Sequence, residues 1–286
     1  FAALFVFHNT EVSKTMSRGV IDKSVVDGDT YFILCSLLGA IIWGWLCTRF
    51  GMPISLSHTL IGGLIGPALV KVGPDALLWF EPDNKGLGWI LIFIILAPLI
   101  GLVLAYILQI ITFWIFRFAK PGKVNGFFQF MQLASSAAFS LGHGSNDAQK
   151  TAGIIILLLA SNGHADIDAP PQWIFYTSYV VIGLGTLIGG WRVVKTMGHN
   201  LTPLKPMGGF CAETAGAITL FSTASIGIPA STTHTITGAI MGVGSAKRVS
   251  AVRWSVAAKI IWAWLLTIPA TILMSAIIYW LVMQIV

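Results

Sequence analysis

The sequence predicts an all-α, polytopic integral membrane protein built from inverted-topology repeats with broken or re-entrant helices. Two observations lead to this prediction. Of the 286 residues, 56% are hydrophobic and only 10% are charged, and the mean hydropathy is +0.82. A soluble domain is about 25% charged, so this chain lacks the polar side chains needed to face water on all sides. The second observation is a nine-residue motif that occurs twice.

Long apolar segments are the first ground for expecting membrane insertion. A helix needs about 20 apolar residues to cross a hydrocarbon core about 30 Å thick. Five segments approach or exceed that length, namely 31–47, 87–116, 173–190, 208–224 and 260–286. We therefore expect a multi-pass protein in contact with lipid, in a plasma membrane or an inner membrane.

Nine of the 17 Lys and Arg residues lie in short connections between these segments. They form three groups: Arg117, Lys120 and Lys123; Arg192, Lys195 and Lys205; and Lys247, Arg248 and Arg253. Such groups are typical of cytoplasmic loops, so the net charge of +6 does not indicate nucleic-acid binding. The number of subunits is left open by the sequence, a homo-oligomer included.

The repeated motif is Gly51-Met-Pro-Ile-Ser-Leu-Ser-His-Thr59 and Gly227-Ile-Pro-Ala-Ser-Thr-Thr-His-Thr235. The copies align without a gap at an offset of 176 residues, which indicates an internal duplication. Acidic and basic residues flank the two copies in opposite order, so we expect the copies to run through the membrane in opposite directions. The first repeat is expected at residues 1–123 and the second at 124–286, in one membrane domain with the site between them.

Each copy places hydroxyl side chains where a helix is expected to begin, in the turn that contains the proline. The residues predicted to line a substrate site here are Ser55, Ser57, Ser231, Thr232 and Thr233. Hydroxyls and free N–H groups at the start of a helix can bind an anion. The alternative is that these side chains only cap the helix. His58 and His234 could carry protons, but we favour a structural role in which they hold the serine loop in shape.

A polar segment, His143-Gly-Ser-Asn-Asp-Ala-Gln-Lys-Thr-Ala-Gly153, interrupts an otherwise apolar stretch. We expect Gly142 and Gly144 to let the backbone unwind there, because irregular backbone at membrane depth is tolerated where it lines a cavity. The alternative is a surface loop in which Asp147 pairs with Lys150.

Asp147 and Glu213 are the two acidic residues that fall in apolar stretches. A charge at the centre of a bilayer costs about 2.5–3.5 kcal/mol and usually marks a site. Asn146, Asp147 and Gln149 offer oxygen ligands of the kind that Na+ or another hard cation prefers, with Asp147 as the predicted metal ligand. Asn146 and Asp147 are also expected to contact the substrate. Glu213 is either a further ion ligand or a helix-packing group bonded to a hydroxyl.

At these residues the chain resembles a known family. Gly144-Ser-Asn-Asp-Ala-Gln-Lys-Thr151 resembles the Gly-Ala-Asn-Asp-x-Gln-Lys signature of the inorganic phosphate transporter (PiT) family. The two motif copies resemble that family's paired serine-histidine elements, and Gly183-Leu-Gly-Thr-Leu-Ile-Gly-Gly-Trp-Arg192 is similar to its arginine-containing stretch. The resemblance implies inverted helical repeats and symport of inorganic phosphate with Na+ or H+. It also implies that the Asn-Asp and Ser/Thr elements line the site.

One departure from the family pattern concerns the first half. The family carries an Asn-Asp signature in each half, whereas residues 1–50 contain no such pair. We therefore expect further residues to precede Phe1 in the molecule.

The predicted function is secondary active transport of inorganic phosphate with Na+ or H+ by alternating access. Phosphate retains a proton that Asp147 can accept and sulfate has none, so phosphate is favoured over sulfate. Sulfate and a metal-phosphate complex are the alternative substrates. We do not expect an enzyme or a bound cofactor apart from co-transported Na+. A hydrolase could use Ser57 or Ser231 with a motif histidine, but the chain has no Gly-x-Ser-x-Gly elbow. A passive channel is the remaining alternative.

Overall fold

The computed structural model describes residues 10–81 and 86–286, and in these ranges the chain is helical with no named strand. The helices are α1 (Glu11–Arg18), α2 (Lys23–Val26), α3 (Thr30–Arg49), α4 (Leu56–Lys71), α5 (Leu87–Phe116), α6 (Pro121–Ser161), α7 (Gln172–Ile188), α8 (Trp191–Lys195), α9 (Pro206–Ser225), α10 (Thr232–Lys247) and α11 (Trp254–Val282). Short 3-10 segments lie at Pro74–Ala76 and Val249–Ala251, and a π-helical segment at Thr196–Leu201. The prediction of an all-α fold is confirmed.

Among the described helices, α3, α5 and α11 are long and apolar enough to cross a membrane. A fourth span is added if α7 and the helix after it count as one segment, bent by 66°. The bend falls at Gly189 and Gly190, whose φ angles of 145° and 121° are rarely adopted by other residues. A broken helix is therefore present, although at a different place from the one expected.

The surface of α5 shows how these helices meet their surroundings. Apolar side chains spaced four residues apart form an exposed stripe: Ile95, Leu99, Val103, Ile107 and Ile111. Residues at this spacing lie on one face of a helix. An exposed apolar stripe along a 30-residue helix fits contact with lipid tails.

Each motif copy continues into a glycine-rich helix that packs on the long helix following the other copy. Thus α4 packs on α11, and α10 packs on α5. Glycine makes both contacts close: a Cβ on Gly62 would lie 2.9 Å from the carbonyl oxygen of Ile268, and a Cβ on Gly238 would collide with the carbonyl of Pro98. Small residues let membrane helices approach in this way. Each pair joins a helix from one half of the chain to a helix from the other, and we call them the two crossed helix pairs.

Helix α6 runs without interruption for 41 residues, through the polar segment that was expected to unwind. The prediction of unwound backbone at Gly142 and Gly144 is therefore wrong. A glycine in a helix costs only about 1 kcal/mol relative to alanine. Unwinding would expose unpaired N–H and C=O groups, each costing several kcal/mol in apolar surroundings. A continuous helix therefore has the lower free energy in the packed surroundings that α1, α7 and α9 provide for α6.

Candidate functional site

The two motif copies fold in the same way at the start of their helices. Ser55 is the N-cap of α4 and accepts a 3.3 Å hydrogen bond from the backbone N–H of His58. Ser231 is the N-cap of α10 and accepts the equivalent bond from His234 at 3.2 Å. The prolines of the motif lie outside the helices, two residues before these caps. The contacts of the two serines are thus those of capping residues.

The glycine that opens each copy is held by a threonine from the other half of the chain. Gly51 and Gly227 have φ angles of 68° and 77°, in the region that favours glycine. The carbonyl of Gly51 accepts a hydrogen bond from Thr196 Oγ1 at 3.1 Å, and that of Gly227 accepts one from Thr15 Oγ1 at 2.6 Å. These reciprocal bonds fix the position of both motif turns.

The motif histidines meet each other. The rings of His58 and His234 have centroids 4.7 Å apart, and His234 also stacks on Trp264 at 3.8 Å. Trp264 donates a 3.0 Å hydrogen bond from Nε1 to the carbonyl of Pro53. Within the part of the chain that the structure describes, His58 Nδ1 and His234 Nε2 are buried without a hydrogen-bond partner. This packing brings the starts of α4 and α10 together.

A buried lysine joins α6 to both copies. Lys150, at 1% exposure, donates to Asp147 Oδ1 at 2.7 Å, to Ser57 Oγ at 2.7 Å and to the carbonyl of Ala230 at 2.6 Å. The pairing of Asp147 with Lys150 was considered at the sequence level only as part of a surface loop. That location is wrong, because the pair lies on a helix, with Lys150 buried and Asp147 only partly exposed.

The second carboxylate oxygen of Asp147 is also occupied. His143 Nε2 lies 2.9 Å from Asp147 Oδ2, and Thr232 Oγ1 donates to the same oxygen at 3.3 Å. We call His143, Asp147, Lys150, Ser57 and Thr232 the Asp147 cluster. Ser57 comes from the first motif copy and Thr232 from the second, so both copies contribute a hydroxyl. Thr233, which is equivalent in position to Ser57, is half-buried in the first turn of α10.

Two amides beside the Asp147 cluster have unused polar atoms. Asn146 is fully buried and neither its Oδ1 nor its Nδ2 has a hydrogen-bond partner among the described residues. Gln149 donates from Nε2 to Ser145 Oγ at 3.3 Å, while its Oε1 is also unpartnered in that part of the chain. Leaving a buried polar group unpaired costs about 1–3 kcal/mol, so these amides are suited to bind water, an ion or a substrate oxygen. In the same ranges no three His, Cys, Asp or Glu side chains group as a metal site.

Glu213 lies apart from the Asp147 cluster. It accepts hydrogen bonds from Ser135 Oγ at 2.6 Å and from Gln132 Nε2 at 3.5 Å. Ser135 precedes Asp147 by twelve residues on α6, which at 1.5 Å per residue is roughly 18 Å along the helix. These contacts are those of the helix-packing alternative, in which Glu213 bonds to a hydroxyl of a neighbouring helix.

Sequence reasoning missed the roles of Lys150 and His143. Charged residues in apolar stretches were treated as site candidates only when they were acidic, although the same cost applies to a basic residue. Lys150 follows Asp147 by three residues and His143 precedes it by four. These spacings place side chains on one face of a helix, so a continuous helix would have predicted both contacts.

The sequence profile described as the phosphate transporter family matches residues 1–275. The chain belongs to the phosphate transporter family. With its apolar helices, it is a multi-pass integral membrane protein, as predicted. It is a member of a transporter family and not of an enzyme family, which confirms that prediction as well.

Two relatives illustrate the match. A "Probable low-affinity inorganic phosphate transporter" of Rhizobium meliloti is 48% identical over 276 residues, covering 96% of this chain and 80% of the relative. A protein of the same description from Bacillus subtilis is 36% identical over 273 residues, covering 95% and 80%. The fold is similar to a solved structure of "The sodium-dependent phosphate transporter", with a TM-score of 0.85 and 24% identity, covering 99% of this chain and 87% of that one.

Proposed function

We propose that this phosphate transporter family member carries inorganic phosphate across the membrane together with a coupling cation, Na+ or H+, by alternating access. The observation that carries the proposal is the Asp147 cluster, in which the pair of buried Lys150 and partly exposed Asp147 on α6 touches both copies of the motif. A substrate site at the interface of two repeats is the usual arrangement in secondary transporters. The names of the two bacterial relatives support phosphate as the substrate.

The starts of α4 and α10 suit an oxyanion. The first turn of a helix leaves N–H groups without intrahelical partners and carries partial positive charge. Ser57, Thr232 and Thr233 add hydroxyl donors in those turns. In this proposal Ser55 and Ser231 act by fixing the helix starts, Asn146 contacts the substrate, and Asp147 accepts a proton from phosphate or holds a cation.

If Na+ is the coupling cation, it would bind near the buried amides. Asn146 and Gln149 have unpartnered oxygens beside Asp147 among the described residues, and neutral oxygens with a carboxylate form a hard-cation site. Glu213 is too far from this place to share one ion with Asp147. The description of the solved neighbour as sodium-dependent is a reason to test Na+ first.

The proposed movement uses the two repeats, 1–123 and 124–286. The equivalent packing of α4 on α11 and of α10 on α5 supports a duplicated architecture. Each of these pairs takes one helix from each repeat, so the pairs would move as units. If the copies have opposite orientations, rocking the α4–α11 pair against the α10–α5 pair would expose the Asp147 cluster to each side in turn. His58 and His234 would serve as the packed contact between the motif turns.

Sulfate and a metal-phosphate complex are the competing substrates. Asp147 favours phosphate because a carboxylate can accept a hydrogen bond from protonated phosphate, whereas sulfate at neutral pH has no proton to donate. Sulfate would present only acceptor oxygens to this negatively charged carboxylate and would therefore lose affinity. A metal-phosphate complex would need further ligands, for which the unpartnered amides are candidates.

Uptake into proteoliposomes tests the proposal. Radiolabelled phosphate should accumulate above its external concentration when an inward Na+ or H+ gradient is imposed, and unlabelled sulfate should compete poorly. The gradients are imposed one at a time, with and without Mg2+, and empty liposomes serve as the control. Equilibration without accumulation would indicate a channel, and no phosphate flux under any gradient would contradict the proposed substrate.

A further inference from the structure

The ammonium group of Lys150 lies in surroundings that are typical of an inorganic cation. Its three neighbours are a carboxylate oxygen of Asp147 at 2.7 Å, the hydroxyl oxygen of Ser57 at 2.7 Å and the carbonyl oxygen of Ala230 at 2.6 Å. Carboxylate, hydroxyl and carbonyl oxygens are the ligands that hard cations take from proteins. An ammonium group has three N–H donors, and here each of them has one acceptor.

This matching explains how a lysine can be buried at the site. Lys150 is only 1% exposed, and a buried charge is tolerated when it is paired and fully hydrogen-bonded. The acceptors come from three separate elements: α6, the first turn of α4 and the turn before α10. The ammonium therefore holds these elements together, as a bound metal ion would.

The same contacts leave little room for Na+ at Asp147. Oδ1 is taken by Lys150, and Oδ2 is contacted by His143 and Thr232. A second cation would have to displace the ammonium or bind close to it, where like charges repel. Asn146 and Gln149 offer only neutral amides, which do not offset that repulsion.

We propose that Lys150 is the resident cation of this site, and that its ammonium replaces a transported Na+ so that phosphate uptake by this chain is coupled to H+ and independent of Na+. The lysine is tethered to α6 and cannot leave with the substrate, so it supplies positive charge without being consumed. The proposal rests on phosphate transport as the function and narrows the coupling ion from two candidates to one.

The experiment compares the wild-type protein with Lys150→Ala in proteoliposomes and in detergent. Wild-type phosphate uptake should be driven by an inward H+ gradient and should be the same in NaCl and choline chloride. Removing the ammonium should leave an oxygen-lined cation site, so uptake by Lys150→Ala should be present in NaCl and lost in choline chloride. Lys150→Met fills the space without charge and should stay inactive in both salts. Lys23→Ala changes an exposed lysine and should behave as the wild type does.

A binding measurement without phosphate keeps the proposal testable when transport is lost. The thermal midpoint of Lys150→Ala in detergent should rise with NaCl relative to choline chloride at equal ionic strength, because a ligand of the folded state stabilises it. The wild type should show no such difference. Lys150→Asn, whose amide oxygen can take one ligand position, is measured in parallel in case the alanine variant does not fold.

Two results would overturn the proposal. One is a wild-type uptake that needs Na+, or a wild-type midpoint that rises specifically with NaCl. The other is folded Lys150→Ala and Lys150→Asn proteins that respond to Na+ no more than the wild type does. If neither variant folds, the wild-type measurements decide alone. Absence of phosphate uptake under every gradient would instead count against the proposed function, because the Na+-dependent midpoint requires no phosphate.

Discussion

The imidazole rings of His58 and His234 contact each other edge to face, with centroids 4.7 Å apart and an interplanar angle of 69°. One ring comes from each copy of the repeated motif, so the contact joins the start of α4 to the start of α10. His234 is stacked on its other side against Trp264. His234 thus lies between two aromatic groups, and both histidines are buried, which suits a packing role better than a role in proton transfer to water.

If the histidines act by packing, aromatic replacements should preserve transport. We expect His58→Phe and His234→Phe to take up phosphate with the pH profile of the wild type, because a phenyl ring keeps edge-to-face and stacked contacts. Uptake is measured in proteoliposomes over a range of external pH. His164→Phe, at an exposed position, is the control. Loss of H+-driven uptake in both motif variants, with the control unaffected, would show that the imidazoles carry protons.

Asp147→Asn should abolish phosphate accumulation. The change removes the negative charge that pairs with Lys150 at 2.7 Å and leaves a buried ammonium uncompensated. Breaking a buried ion pair from one side typically costs about 3–5 kcal/mol, so a lower free energy of unfolding is expected too. Phosphate accumulation and the free energy of unfolding are both measured for Asp147→Asn, Lys150→Met and the double variant. This comparison separates a loss of transport from a loss of stability. Because the pair interacts directly, the double variant should be more stable than the sum of the single losses predicts. Full accumulation by Asp147→Asn would contradict the proposed site.

Gly238→Ala should destabilise the crossed helix pair of α10 and α5. The added methyl group would collide with the backbone carbonyl of Pro98, which cannot move without shifting α5. Overpacking of this kind costs about 1–3 kcal/mol. The matched control is Gly185→Ala on α7, where a Cβ would meet no atom within 4 Å; there alanine should be neutral or stabilising by about 0.5–1 kcal/mol. The stability of both variants is measured by thermal unfolding in detergent. If Gly238→Ala and Gly185→Ala changed stability equally, the close contact between α10 and α5 would be contradicted.

Tyr279→Phe should weaken the contact between the end of α11 and the start of α3. The Tyr279 hydroxyl donates a 2.6 Å hydrogen bond to Asp29 Oδ2, which also accepts from Lys71 at 3.0 Å. A hydrogen bond to a charged group contributes about 1.5–3 kcal/mol. We expect the free energy of unfolding of Tyr279→Phe, measured in detergent, to be lower than that of the wild type by an amount in that range. Tyr106→Phe alters an exposed tyrosine on α5 and should change stability by less than about 0.5 kcal/mol.

The same contact predicts a pH dependence of stability. Asp29 precedes the membrane-spanning part of α3; burial raises the pKa of its carboxyl, but hydrogen bonds from Tyr279 and Lys71 outweigh burial and the net pKa is lowered. A carboxyl whose pKa is lower in the folded than in the unfolded protein stabilises the folded state. This stabilisation is complete above the unfolded pKa of about 3.9 and is lost as the pH falls through the folded pKa. Between about pH 6 and about pH 3, the free energy of unfolding should fall by more for the wild type than for Tyr279→Phe. Parallel curves would show that Asp29 does not titrate in this contact.

Much of the fold follows from the sequence because its causes are local. The apolar lengths of α3, α5 and α11 give their spans, and the serine before each glycine-rich helix gives its start. The uninterrupted path of α6 does not follow from local signals. It depends on the balance between a small glycine penalty and the larger cost of unpaired backbone, and that balance is set by neighbours such as α9 that are distant in sequence.

The sequence predicted most of the residues of the site, but not the contacts between them. The hydroxyls of Ser57 and Thr232 and the carboxylate of Asp147 were all expected, and the structure brings them into one cluster. Lys150 was not expected there, because its acceptors include the carbonyl of Ala230, which lies 80 residues away in the chain. The separation of Glu213 from this cluster likewise depends on how α9 aligns with α6.

The crossed packing of α4 on α11 and α10 on α5 has a consequence for biosynthesis. The glycine face of α4, with Gly62 and Gly66, acquires its partner only when residues 268–276 have left the ribosome. Until then the nascent chain presents that face, and the buried polar groups near it, to lipid or to the insertion machinery. A chain that terminates prematurely before α11 would leave these surfaces without their partner. The exchange of helices between the halves therefore makes completion of the whole polypeptide a condition for either half to be properly enclosed.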